Sequence, residues 1–207
     1  MEDKAIYDLK SLKWVILGIM ISSISIFLQM GTGLVDTDLS SIVILFSVVK
    51  IIGWIIVILG LRKIREYGKF NKCYTSSLWV LAMMVVGFMS IILLAILIAF
   101  YYYLFKSLED IALQLKENTF AKLADRIFMV SAWIFILALC IMPISAFIFK
   151  ALQPMFIDIL IIITAVICLV ICSFIYLAYK KLDGREIPNT KAFQCDDNNL
   201  ELKNMGD

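Results

Sequence analysis

Residues 41–61 read SIVILFSVVKIIGWIIVILGL, an apolar run broken by one charge, Lys50. A hydrocarbon core of about 30 Å takes about 20 apolar residues of helix. Four other stretches have the same character: Trp14–Leu34, Leu78–Leu104, Ile127–Phe149 and Met155–Tyr179. None alternates polar and apolar residues as a barrel strand does. Backbone groups in lipid must be paired within their own segment, so each stretch reads as helix. The expected fold is all-α, a polytopic membrane bundle of five transmembrane helices.

Working outward, residues 1–181 form one transmembrane domain and 182–207 a polar tail. Asp183, Gly184, Pro188 and Asn189 open that tail, and Asp and Asn recur along it. Too little apolar surface is present there to offset ordering entropy, so the tail is expected to be disordered. The connectors Lys106–Arg126 and Arg62–Ser77 are expected to form two helical hairpins that protrude from the bilayer. Leu108, Ile111, Ala112 and Leu115 recur at helical spacing in the first of these. Asn118 or Thr119 is the expected cap of the helix that follows. Gly68 is the expected end of the second helix, with Asn71 or Thr75 starting the third. The 27 residues of Leu78–Leu104 read as one long, tilted span. Pro143 is expected to kink the fourth span. Glu2, Asp3 and Asp8 interrupt the basic start, and no small-residue cleavage site follows, so the first span reads as a retained helix.

The whole chain of 207 residues is 62% hydrophobic and 17% charged, far from soluble composition. Its net charge of +2 and lack of a long basic run exclude a nucleic-acid tracking surface. No single juxtamembrane cluster reaches the size associated with anionic-lipid recognition. Counting Lys and Arg segment by segment gives three before the first span, then none, five, four, one and five. Five passes therefore tie the positive-inside rule. The first hairpin, basic then acidic (Asp36, Asp38) then basic, favours a cytoplasmic amino terminus and an outside carboxyl terminus.

No histidine occurs, which removes histidine triads, HExxH zinc sites and histidine-ligated haem. No Walker loop, dinucleotide fingerprint or paired intramembrane acids are present. The five cysteines show no zinc or redox spacing and read as packing thiols, so neither metal nor cofactor is expected. Thr164, Cys168, Cys172 and Tyr176 form a semi-polar stripe on the last span.

Lys50 is the one cation near a span centre, where insertion costs roughly 2.5–3.5 kcal/mol. Such residues commonly mark an ion or substrate pathway. Ser47 and Trp54 share its face, and Asp158 is the candidate carboxylate partner. On the first span Gly18, Ser22, Ser25, Gln29 and Gly33 lie on one face, the pattern of close helix packing. The expected function is non-enzymatic: an accessory, regulatory or protective membrane subunit acting through helix contacts. Its partners would be the bilayer, other membrane proteins or a second copy, and no nucleic acid. The alternative is a small transporter or channel component with Lys50 in a polar pathway.

Overall fold

The computed structural model describes residues 7–32, 40–65, 67, 70–86, 91–148 and 153–185. These residues form six helices and no strand. They are α1 (Leu12–Thr32), α2 (Ser40–Ile64), α3 (Phe70–Val85), α4 (Ile91–Gln114), α5 (Asn118–Ile148) and α6 (Gln153–Leu182). α5 continues through Pro143 as one element. Each helix packs on its neighbours in sequence, α6 returns to α1, and α4 also meets α6. The helices thus follow one another round the core, with α5 contributing Phe120, Ala121 and Ala124 between α4 and α6.

The single long span expected over Leu78–Leu104 is two helices. α3 ends at Val85 and α4 begins at Ile91. They run antiparallel, since the Cys73 thiol near the start of α3 donates to the Phe100 carbonyl of α4 at 3.8 Å. The intervening sequence Val86-Gly87-Phe88-Met89-Ser90 is as apolar as its flanks, so hydropathy does not mark the turn.

That extra turn changes where the chain ends. With three antiparallel hairpins, the start of α1 and the end of α6 fall at the same end of the bundle. Tyr7 N–H donates to the Arg185 carbonyl (2.9 Å), and Gly184 N–H donates to the Tyr7 carbonyl (2.9 Å). Leu9 N–H donates to Asp183 Oδ1 (2.7 Å). The Tyr7 hydroxyl donates to Gln114 Oε1 at the end of α4. The Tyr7 ring meets Tyr67, between α2 and α3, edge-on at 5.3 Å. The two described ends of the chain, Tyr7 and Arg185, therefore lie side by side. Residues 183–185 are held by these bonds rather than disordered, while the rest of the tail lies outside the described residues.

Two local expectations also change. α3 starts at Phe70, so Asn71 and Thr75 are inside it; Thr75 Oγ1 donates back to the Asn71 carbonyl at 3.0 Å. Gly68 lies outside the described residues. α5 opens on the Glu117 carbonyl, which accepts from both Phe120 and Ala121 N–H, so neither Asn118 nor Thr119 is the cap. Just before it, Glu117 N–H reaches the Ala112 carbonyl (2.8 Å) and Lys116 N–H the Leu113 carbonyl (3.0 Å). This is a Schellman ending, with Lys116 at φ 60° in the place usually held by glycine.

The outer surface is apolar as well as the core. α1 buries Leu12, Val15 and Ile19, yet exposes Trp14, Leu17, Met20, Ile24 and Leu28. Two stretches among the described residues, Ile44–Ile64 and Ala165–Leu182, are long and apolar enough to cross a membrane.

Lys116→Gly is expected to stabilise the fold by about 0.5–1 kcal/mol. That is the left-handed penalty of about 1–2 kcal/mol less the larger unfolded-state entropy of glycine. Thermal unfolding in detergent checks it, and an unchanged or lower midpoint contradicts it. A second expectation concerns acid. Glu117 accepts from Lys181 at 2.8 Å, and this bond holds its carboxyl below the ordinary 4.5. A depressed carboxylate stabilises at neutral pH, and that contribution is lost as pH falls through the folded value. The difference in melting temperature between the native chain and Glu117→Gln should therefore shrink as pH falls from 4.5 through the lower folded value.

Candidate functional site

The small residues of α1 lie against α2. A side chain at Gly18 would strike the Gly53 carbonyl oxygen and stand 2.8 Å from the Val57 backbone nitrogen. One at Gly53 would stand 2.9 Å from the Ser22 nitrogen, and one at Gly60 3.0 Å from the Ser11 carbonyl oxygen. Backbone therefore meets backbone along this seam, an approach only small residues permit. Ser22 and Ser25 are buried in it, and the Ser25 hydroxyl donates to the Phe46 carbonyl. The Gln29 side chain and Gly33 lie outside the described residues. Gly53 and Gly60, seven apart and so on one face of α2, were the unread half of the pattern.

Lys50 is one turn above Gly53 and is buried, at 7% exposure. The register set by Ser25 with Phe46 and by Gly53 with Ser22 puts it level with Ser22. Trp54, one turn below, is also buried, but its ring engages Phe100 of α4 edge-on at 5.0 Å. Ser47 is half-buried on the preceding turn. Among the described residues no carboxylate pairs with Lys50.

Asp158 is in α6, with its side chain outside the described residues. The Ser23 hydroxyl donates to the Cys168 thiol at 3.3 Å, which fixes α1 against α6. Asp158 lies ten residues before Cys168, about 15 Å farther along the helix. α2 and α6 share no contact among the described residues. The backbone therefore does not bring Asp158 level with Lys50.

The stripe on α6 divides. Cys172 is buried and Cys168 half-buried, Tyr176 is exposed, and the Thr164 side chain is not described. Cys73 of α3 and Cys172 of α6 both belong to the buried core, against which Tyr101 of α4 packs. Among the described residues no three His, Cys, Asp or Glu side chains are arranged to hold a metal ion. A small recess between α4, α5 and α6 is bounded by Tyr101, Phe105, Phe128 and Ser131, and does not extend to Lys50.

The Tyr7 clasp was not anticipated. Its partners are 107 and 174 residues apart in the Tyr7–Gln114 and Leu9–Asp183 bonds, and no periodic pattern announces such pairs. The chain matches no protein-family model, no curated protein and no solved structure.

Gly53→Val is expected to force α1 and α2 apart, at a cost of about 1–3 kcal/mol from overpacking. Lys50→Leu is expected to be neutral or stabilising, by no more than about 2.5–3.5 kcal/mol, the insertion cost of a central lysine. Melting of the two purified variants in the same detergent compares them directly. Destabilisation by Lys50→Leu would instead reveal a partner that the replacement leaves unpaired.

Proposed function

We propose that this is a multi-pass membrane protein whose three helical hairpins enter from the cytoplasmic face, with both chain ends on that face. The observation that carries this reading is the sorting of side chains. Apolar groups face outward along the helices, and charge collects at the end where Tyr7 meets Arg185. α3, at 16 residues, is about 24 Å long and shorter than a typical hydrocarbon core. Whether its hairpin with α4 crosses fully or turns within the bilayer, the later helices keep the same sense. Under this topology seventeen of the nineteen Lys and Arg, all but Lys50 and Lys150, belong to segments at one end. The nine-to-nine tie of a five-pass chain becomes a one-sided count, which supports a cytoplasmic base.

Within that membrane frame we infer a non-enzymatic accessory or regulatory role through helix contacts. The small-residue face of α1 is taken up by α2 of the same chain, so it is unavailable to partners. Contacts with other proteins fall instead to outward faces such as Trp14, Leu17, Met20 and Ile24. A second reading, a small transporter component, is favoured by one observation, the buried Lys50. Its discriminator is activity: Lys50→Leu would abolish solute flux in vesicles if Lys50 lines a pathway.

Reporter fusions test the topology. A fusion at Asp36 is expected to report outside and one after Lys181 to report inside. An outside signal after Lys181 would restore an odd number of passes and overturn the arrangement. Co-purification in mild detergent tests the role, and a strictly monomeric, partner-free protein contradicts it.

A further inference from the structure

The fold joins cations that are scattered in the sequence. Lys180 stands in the last turn of α6, next to Tyr179, and Lys13 of α1 lies 4.7 Å over the Tyr179 ring. Lys10 is three residues away, at the entry to α1. The first turn of α1 rests on α2, where the Ser11 carbonyl meets Gly60, about one turn before Lys63. Arg65 closes α2 and lies 5.8 Å over the ring of Tyr74 in α3, whose first turn carries Lys72. Lys180, Lys13, Lys10, Lys63, Arg65 and Lys72 are all exposed. They follow one another along the rim formed by α6, α1, α2 and α3.

Acids on the adjoining segments are already engaged. Asp8 accepts from Lys10 N–H at 3.3 Å, Asp183 from Leu9 N–H, and Glu117 from Lys181. Above the rim the exposed side chains turn apolar and aromatic: Trp14, Tyr176 and Leu59. That is the sequence of chemistries at a lipid surface, where rings sit at headgroup depth and cations lie beyond them.

From this we propose that the rim is a binding arc for the headgroups of anionic phospholipids in the cytoplasmic leaflet. The inference rests on the membrane topology above. A cluster of four to eight Lys or Arg beside the membrane is the size that recognises such lipids. No one segment reaches it; the fold does, by placing the ends of α6, α1, α2 and α3 side by side. Phosphate and guanidinium or ammonium groups meet by charge-assisted hydrogen bonds.

The test uses the full chain reconstituted in nanodiscs of equal parts phosphatidylcholine and phosphatidylglycerol, then released for native mass spectrometry. The native protein is expected to retain phosphatidylglycerol several-fold over phosphatidylcholine. A variant with Lys13→Gln, Lys63→Gln, Arg65→Gln and Lys72→Gln is expected to lose that preference, and the matching Lys13→Arg, Lys63→Arg, Lys72→Arg variant to keep it. Lys122→Gln with Arg126→Gln, on α5 and away from the rim, is expected to leave it unchanged. Equal lipid retention in the rim variant, or equal loss in the α5 variant, would overturn the arc. Displacement of the lipid by millimolar inorganic phosphate would do the same, since it would mark a simple anion site. Release of the native protein from membranes by alkaline carbonate would instead overturn the membrane reading, a result separable from the lipid arms.

Discussion

At one end of the six-helix bundle the amino-terminal segment pairs its backbone with the end of the last helix. Tyr7 exchanges two backbone hydrogen bonds with Gly184 and Arg185, and its side chain reaches α4 and the α2–α3 junction. Each net hydrogen bond is modest, about 0.5–1.5 kcal/mol. Their value here lies in position. They add to the packing of α1 on α6 and close the ring at one end. Everything read from the bundle's polarity, from topology to the cationic rim, follows from that closure.

Packing on the sides obeys a different rule. Along the α1–α2 seam, glycines let carbonyls and amides touch, and hydroxyls satisfy polar groups locally. Farther round the ring, aromatic rings do the filling. Trp54 meets Phe100 at 5.0 Å, and Phe174 stacks on both Phe105 (5.3 Å) and Phe120 (4.9 Å), joining α4, α5 and α6. Small residues therefore set the closest helix pair, and large rings span the wider gaps. Lys50 sits where these two regimes adjoin, above Gly53 and Trp54. Its burial is a consequence of tight packing on one side and bulky packing on the other.

Helical character was legible from residue type alone, because runs such as 41–61 leave the backbone no other way to pair its polar groups. The small-residue face of α1 was legible by its spacing. Two things were not. The α3–α4 turn is written in residues as apolar as the helices it joins, so a hydropathy reading runs straight through Gly87. That one omission merged two helices, α3 and α4, into a single expected span. The pairing of Tyr7 with Arg185 and of Leu9 with Asp183 was also hidden, because contacts between distant polar residues leave no period in a sequence. Asp158 lies about 15 Å along α6 from Cys168, and its side chain lies outside the described residues.

The Tyr7–Arg185 contact also has a meaning in time. α1 and α2 are neighbours along the chain and can zip together as soon as Ile64 has been made. The clasp must wait for residue 185, after every other helix has been synthesised. During that interval α1 can pair with α2 and α4 with α3, while the bonds of Tyr7 to Gly184 and Arg185 have yet to form. Among the described helices, this clasp is one of the last contacts that synthesis makes possible.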